Sequence, residues 1–432
     1  SLVKPEIQVP HFSASKKKFN ASLHVKKRPA SIGNKAESLH LLKKKKYLIP
    51  ETHVCTWEAY ENYTAGDSRV LDQLREELKH IIDDKSLYAV RSSANLEDSL
   101  EYSCAGQFDT ILNVRGVKDI LSAIKKIWAN VQSDSVKSYL KKIEKKPDDV
   151  KMAVIIQKMI EPVYSGVVFS KNPINALDEV LVEAVEGSGT TLVQSGVTPY
   201  RWVNKWGGWI EQPDKDVIPQ DIIQEVVERT KTIKKMTKEE VDLEWVYDGR
   251  DIYWLQLRSI TSIKKLRVYS SRMAKEMTPG MIQPLVWSVV VPIPSRIWAD
   301  MIKEVVGKID LDVNSLAKSF HYRTYHNLSE FGKVFAKLGM PGESLEMMMG
   351  VIPAGAGKAP FKPGPKVIRL LPHILRVLIN RWRFAKKLKN NYPRLYQRAQ
   401  QFSLKPSNKL DDTQLMSIID EIKQLNKEMM YY

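Results

Sequence analysis

The chain has 432 residues, of which 43% are hydrophobic, and this length and composition predict two or three domains with substantial buried cores. Its two cysteines exclude a disulfide framework or a cysteine-built metal cluster, so an intracellular, cytoplasmic protein is expected. No uninterrupted apolar run reaches the roughly 18 residues that predict a membrane-spanning helix.

The net charge of +17 is concentrated in one segment. Between Met347 and Leu410 there are 14 lysines and arginines and no aspartate or glutamate, so the rest of the chain carries only +3. Residues 1–30 are also rich in lysine, and we interpret them as a basic N-terminal arm in solvent. Charge alone would permit nucleic-acid binding, but no recognised nucleic-acid-binding module supports it.

In chain order, the first predicted element is a helix from Gly33 to about Lys46, followed by an extended segment that ends in a strand near Thr56. The spacing Gly33-x-Lys35 at the start of the helix suits a phosphate contact. A lysine after a turn is also commonplace, so this signal is weak by itself.

A short apolar strand from Ser86 to Val90 ends on Arg91, and small hydroxyl residues follow. An arginine at the end of a strand is suited to clamping a phosphate. The alternative is an ordinary ion pair with Glu97 or Asp98, which are close in sequence.

The next polar stretch contains Gly106 and Thr110 and precedes a strand predicted from Ile111 to Val114. Small residues and backbone N–H groups could approach a polyphosphate here, with the Thr110 hydroxyl as a further donor. A single glycine does not define a phosphate loop.

Residues 118–140 have helical periodicity, and residues 152–160, 165–170 and 179–184 are continuous apolar segments that predict buried strands. Gln157 interrupts the first of these strands. A polar residue within a buried strand usually faces a ligand or a polar neighbour.

The stretch from Asp242 to Arg258 predicts a hairpin, because aromatic and β-branched residues flank Asp248-Gly249. A two-residue turn would pair Val241 with Gln256 and point Glu244 away from it. A three-residue loop would pair Asp242 with Gln256 and bring Glu244 to the same face, beside Arg258. Oxygen ligands suit Mg²⁺ and a fixed guanidinium suits a phosphate, whereas the alternative is a surface hairpin with a solvated salt bridge.

Beyond residue 262 the periodicity is helical. Residues 353–365 are rich in glycine and proline and predict a mobile linker or lid. A following helix has a one-sided apolar stripe with basic residues around it, and the last stretch, 411–432, predicts one more helix. The stripe is formed by Leu371, Ile374, Leu375, Leu378, Trp382 and Ala385. Such a helix, within residues 366–398, could lie on an anionic membrane surface or dock against its own domain with a solvated basic rim, and the second interpretation is favoured.

Several of these segments, taken in order, resemble the ATP-grasp nucleotide-binding domain of the phosphoenolpyruvate synthase and pyruvate phosphate dikinase family, which rifampin phosphotransferase shares. The resemblance covers about residues 30–262. Its motifs are Gly33-x-Lys35, Ala89-Val-Arg91-Ser-Ser-Ala94, Ala105-Gly-Gln-x-Asp-Thr110, Gln157-Lys-Met159, Ser165-Gly-Val-Val-Phe169, Asp242-x-Glu244-Trp245 and Leu255-Gln-x-Arg258-Ser-Ile-Thr261.

The resemblance implies a role for each matching position. Lys35 and Arg91 would hold the ATP phosphates, and Arg258 would contact the transferring phosphates. Glu244 and Gln256 would ligate Mg²⁺. Gly106 and Thr110 would cover the phosphates. Gln157 would lie near the adenine or ribose.

The chain departs from the family pattern in three places. Val185-Glu-Gly-Ser-Gly-Thr stands where relatives have a Gly-Leu-Gly-Glu type of sequence, and Leu257 and Ser259 stand where they often have Ser and Pro. The family passes a phosphoryl group to a histidine in a Ser/Thr-His-Ala setting, and none of this chain's eight histidines lies in one. They are His11, His24, His40, His53, His80, His321, His326 and His373.

The sequence therefore predicts an α+β protein with a basic arm over residues 1–30, an ATP-grasp domain over 31–262 and a mainly helical acceptor-binding or linker domain over 263–432. Its expected function is the Mg²⁺- and ATP-binding part of a dikinase-type phosphotransferase, inactive without a phosphohistidine domain in cis or in trans. The acceptor would be pyruvate or a hydroxyl compound. The alternatives are a rifampin-phosphotransferase-like small-molecule kinase, and a non-catalytic ATP-binding module with a membrane- or partner-docking helix.

Overall fold

The computed structural model combines helices and antiparallel sheets in two compact units. It describes residues 18–97, 108, 110–189, 198–261, 263, 266–340, 342–350, 352–358, 365–403 and 410–430. Unit 1 comprises residues 1–171, 180–202 and 212–264, and unit 2 comprises residues 172–179, 203–211 and 265–432. Two short segments that lie within the first predicted domain in sequence thus group with unit 2, and the domain bounds remain a prediction.

The first sheet of unit 1 is antiparallel, with the strand order β1-β2-β5-β3-β4. Its centre is apolar on both faces, since consecutive residues from Met152 to Ile156 of β5 are all buried. The strands are β1 (Asn20–Ser22), β2 (Thr52–Cys55), β3 (Tyr88–Ala94), β4 (Thr110–Val114) and β5 (Met152–Lys158).

Amphipathic helices cover this sheet. They are α1 (Gly33–Lys44), α2 (Trp57–Thr64), α3 (Arg69–Lys79), α4 (Gly116–Asn130) and α5 (Asp134–Lys142). The stretch predicted as one helix over 118–140 is therefore two, and Ser133 separates them by capping α5 through a bond from the Val136 N–H.

The start of α1 touches β3 directly, and Gly33 permits the contact. Its φ is +73°, and a Cβ at this position would lie 1.8 Å from the carbonyl oxygen of Ser93. The Ser93 hydroxyl donates to the Ile32 carbonyl and accepts from the Ala36 N–H, which fixes the first turn of α1 on the strand.

The second sheet has two chemically different faces. In the order β11-β10-β6-β7-β8, directly paired residues point the same way. One row, Leu257, Leu243, Val168 and Val182, is buried, and α6 contacts β10, β6 and β7. The elements are β6 (Tyr164–Phe169), β7 (Val180–Glu186), β8 (Tyr200–Lys205), β9 (Gly208–Glu211), α6 (Gln220–Thr237), β10 (Val241–Tyr247) and β11 (Ile252–Ser259).

Unit 2 is helical apart from the β8–β9 turn region and a small antiparallel sheet of order β12-β14-β13. The mainly helical texture predicted beyond residue 262 did not include this sheet. Its β13–β14 hairpin turns at His321 and Tyr322, both with positive φ, without the Asn-Gly or Asp-Gly pair that makes such turns visible in a sequence. The strands are β12 (Tyr269–Ser270), β13 (Ala317–Phe320) and β14 (Arg323–Asn327).

The helices of unit 2 are α7 (Arg272–Met277), α8 (Pro284–Val290), α9 (Pro292–Val306), α10 (Leu328–Lys337), α11 (Gly342–Met349), α12 (Leu371–Ser403) and α13 (Asp412–Met430). Within the described residues, the stretch Pro284–Val306 is long and apolar enough to cross a membrane by length and composition alone. The stretch is not an uninterrupted apolar run, since Arg296 and Asp300 lie within it, and α8 and α9 join through prolines that suit the first turn of a helix.

Candidate functional site

The site begins with the register of the β10–β11 hairpin, which differs from both predicted registers. Glu244 pairs directly with Gln256, whereas Val241 pairs with Ser259 and Asp242 with Arg258. Two local features cause the difference. The turn has four residues, because the Asp248 carboxylate accepts the N–H groups of Arg250 and Asp251, and a bulge then leaves Leu255 without a paired residue.

This register places the polar side chains on one face. Glu244, Gln256 and Arg258 point the same way as Asp242, opposite to the buried row under α6. The same row continues through Val167 to Glu183 on β7, so a further carboxylate lies on this face, two strands from Glu244. The alternation within β7 could have indicated Glu183, but no motif singled it out.

Arg91 of the first sheet joins this face across a long sequence separation. Its Nη2 donates to Oε2 of Glu244 at 3.0 Å and also to Oε1 of Gln256, and its Nη1 donates to the Leu255 carbonyl at 3.3 Å. The alternative pairing of Arg91 with Glu97 is not what the structure shows. The two sheets of unit 1 therefore meet at a guanidinium held by a carboxylate, an amide and a carbonyl.

The electrostatics favour an ionised Glu244. Desolvation raises the pKa of this carboxyl, but the positive charges of Arg91 and Arg258, the hydrogen bond from Arg91 and the charge of Lys35 outweigh it, and the pKa lies below its ordinary value. The Glu244 side chain is still 31% exposed, whereas that of Arg91 is 12% exposed. Glu244 is thus a partly accessible carboxylate held ionised by the cations nearest to it.

Lys35 is buried and has a carboxylate partner of its own. Its Nζ lies 2.8 Å from Oε1 of Glu97 and 3.4 Å from the Ser92 hydroxyl. Glu97 also accepts from Ser92 and from the Ala94 N–H. Lys35 is close enough to lower the pKa of Glu244, yet its own hydrogen bonds hold it to the β3 side of the site.

Of the other predicted site residues, two lie on the first sheet and one lies outside the described residues. Thr110 is exposed on β4 and pairs with Arg91. Gln157 is buried on β5 and donates to the Thr52 hydroxyl at 3.2 Å. Gly106 lies outside the described residues.

Glu244 and Gln256 fit a magnesium site that a nucleotide completes. They present a carboxylate oxygen and an amide oxygen to the same guanidinium, and Mg²⁺ commonly takes one or two protein oxygens together with phosphates and water. Nε2 of Gln256 is buried without a hydrogen-bond partner among the described residues, which leaves an unused amide donor beside the oxygen that would ligate the metal. No group of three or more acidic, histidine or cysteine ligands occurs in the described part of the chain.

Residues 67–212 match the family described as pyruvate phosphate dikinase, AMP/ATP-binding domain. The resemblance to the phosphoenolpyruvate synthase and pyruvate phosphate dikinase family is confirmed over nearly half of the chain.

Two curated relatives illustrate the match. A probable phosphoenolpyruvate synthase from Archaeoglobus fulgidus is 30% identical over 226 residues, which are 46% of this chain and 30% of that protein. The phosphotransferase YvkC from Bacillus subtilis is 30% identical over 239 residues, which are 48% of this chain and 29% of that protein. The chain thus matches about a third of the length of these relatives.

Similarity to solved structures is weak. D-alanyl-alanine synthetase A from Vibrio cholerae is 10% identical, with 55% of this chain and 58% of that chain covered and a TM-score of 0.28.

Proposed function

We propose that unit 1 binds Mg²⁺-ATP on the polar face of its second sheet, as the nucleotide-binding part of a dikinase-type phosphotransferase. One observation carries the proposal. Arg91 of the first sheet holds Glu244 and Gln256 of the second, so a phosphate-binding cation and two metal-binding oxygens share one accessible position. The matched AMP/ATP-binding family supports the same ligand.

Each side chain has a role that its chemistry supports. Arg91 and Arg258 bind and orient the phosphates, because a planar guanidinium matches two phosphate oxygens. Glu244 and Gln256 hold Mg²⁺, which when bound neutralises charge on the polyphosphate. Phosphoryl transfer needs such positioning and charge stabilisation rather than covalent work by these residues.

Four further residues complete the proposed nucleotide site. Thr110 at the start of β4, together with Gly106, covers the phosphates. Gln157 shapes the wall near the adenine or ribose, where its bond to Thr52 fixes its orientation. Lys35 supplies positive charge from the β3 side.

The finer part of the proposal concerns the reaction. ATP would be cleaved to AMP, its β-phosphoryl group would pass to a histidine outside these 432 residues, and water would take the γ-phosphoryl group, which leaves as phosphate. Pyruvate or a hydroxyl compound would then accept the β-phosphoryl group. We place this work in the cytoplasm, where ATP and Mg²⁺ are both available.

Calorimetric titration with Mg²⁺-ATP tests the site. Glu244→Ala and Arg258→Ala should each weaken binding by about 10- to 100-fold or more, because each removes a charged contact. Lys126→Ala, which removes an exposed cation on α4, is the matched control and should bind like the wild type. Unchanged affinity in both site variants would refute the proposed site.

A further inference from the structure

Helix α12 has two faces with opposite environments. One face packs within unit 2, where α12 contacts α9 and α13, Leu395 is buried, and Asn380 and Arg398 bond to Glu304 and Glu428. The other face carries apolar side chains in solvent. We name these the apolar stripe, and they are Leu371 (50% exposed), Leu375 (58%), Leu378 (61%), Ile379 (44%) and Trp382 (85%).

The stripe is a continuous feature because its members recur at helical spacing. Steps of three and four residues keep Leu371, Leu375, Leu378 and Trp382 on one side of the helix. At about 1.5 Å per residue, the stripe runs for roughly 17 Å along the axis. Exposed apolar surface of this size and continuity marks an interaction site.

The charge around the stripe is of one sign. Arg376, Arg383, Lys386 and Lys389 are exposed beside and beyond it. The whole stretch from Met347 to Leu410 contains no acidic residue. A surface that met this helix would therefore encounter only positive charge around a narrow apolar strip.

We propose that α12 lies on an anionic lipid surface, with the apolar stripe inserted at the level of the headgroups and the basic residues against lipid phosphates. An apolar strip with a basic border and an interfacial tryptophan is the pattern of helices that lie in the plane of a membrane. Charge complementarity selects an anionic bilayer over a neutral one. This inference is independent of the proposed nucleotide site, because it concerns residues of unit 2 alone.

Vesicle flotation of the full chain tests the proposal. The wild type should float with vesicles of phosphatidylcholine mixed with phosphatidylglycerol, should not float with phosphatidylcholine alone, and should release as salt rises. Leu378→Ser together with Trp382→Ser should weaken binding at least about tenfold, because two large apolar side chains no longer insert. Arg376→Gln, Arg383→Gln and Lys386→Gln together should weaken it about a hundredfold, at roughly fivefold per charge.

Two matched controls separate this face from general stickiness. Ile174→Ser removes a side chain that is 69% exposed elsewhere in unit 2, and should bind like the wild type. Lys44→Gln, Lys45→Gln and Lys46→Gln together remove three exposed charges at the end of α1, and should also bind like it. Every variant should retain the far-ultraviolet circular dichroism spectrum and the urea midpoint of the wild type, which report that it is folded.

Three results would overturn the proposal. One is failure of the wild type to float with anionic vesicles. A second is an equal loss in the α1 charge variant and the α12 charge variant, which would mean that net charge alone drives binding. The third is vesicle binding that survives the stripe substitutions while sedimentation velocity shows that they break self-association, since the stripe would then cover a second copy of the chain.

Discussion

Two clusters of paired charges, one in each unit, differ in how completely their polar atoms are satisfied. In unit 2, Lys205 is 1% exposed, and its Nζ lies 3.2 Å from Glu179 and 2.8 Å from Glu346. The other oxygens of these carboxylates accept from the side chains of Asn172 and Asn175 and from the Asp178 N–H. In unit 1, Glu244 is 31% exposed, and Gln256 has a buried amide nitrogen without a partner among the described residues.

The difference indicates different roles. A buried charge whose partners are all present within the protein holds its surroundings in one arrangement, and a ligand would have to displace those partners. A cluster with an accessible carboxylate and an unpaired amide is incomplete by itself. We interpret the Lys205 cluster as structural and the Arg91 cluster as a ligand site, and the following predictions test that contrast.

The largest effect is expected from Lys205→Met. The substitution leaves two buried carboxylates without their cation, which should lower the free energy of unfolding by about 3–5 kcal/mol. Urea denaturation measures it, and Mg²⁺-ATP affinity below the transition should not change. Lys79→Met, which breaks an exposed pair with Glu76, is the control and should have no measurable effect on stability. If Lys205→Met lowered the free energy of unfolding no more than the control does, the Lys205 cluster would not be structural.

An intermediate loss of stability is expected from Lys35→Met. This substitution tests whether Lys35 is a structural residue or a ligand-binding residue. Glu97 is 1% exposed and would lose its cation, so we expect a loss of about 3 kcal/mol in the free energy of unfolding. Mg²⁺-ATP affinity should fall less than in Arg258→Ala, because Lys35 is already paired. A full loss of affinity with unchanged stability would instead place Lys35 on the phosphates.

The smallest effect is a pH dependence at Glu244. The folded protein holds the pKa of this carboxyl below its ordinary value of 4.5. The ionised carboxylate therefore stabilises the folded state at pH values above 4.5, and this stabilisation is lost as the pH falls through the pKa of the folded state. The stability difference between wild type and Glu244→Gln should therefore shrink between about pH 6 and about pH 3. Urea midpoints at both values measure it, and a constant difference would mean that Glu244 does not interact with the nearby cations.

Local patterns in the sequence predicted where the site's strands lie, but β3 continues to Ala94, so Arg91 lies within the strand and not at its end as predicted. The apolar runs at 152–160 and 165–170 became β5 and β6, and the helix predicted from Gly33 became α1. These elements are determined by the hydrophobic periodicity of their own segment and by the glycine at its boundary. Both signals can be read from residues that are close in sequence. The prediction that Glu244 and Gln256 point the same way agrees with the observed strand pairing.

The register itself was beyond the reach of sequence patterns. A four-residue turn and a bulge each add one residue, and both depend on local hydrogen bonds of Asp248 and on tertiary contacts of Leu255. The partner of Arg91 was equally hidden, because Glu244 lies 153 residues further along the chain. In the sequence, only the order of the motifs shared with the resembled family linked Arg91 to the β10–β11 hairpin.

The bulge at Leu255 restricts how homologous chains can vary in length. Deleting this residue would leave Glu244 opposite Gln256, so the ladder would close without a gap. It would also delete the carbonyl to which Arg91 Nη1 donates. A homologous chain that lacked the bulge residue would therefore keep both proposed metal-binding side chains while its arginine lost a tether, whereas a shorter turn would leave the bulge and the tether in place.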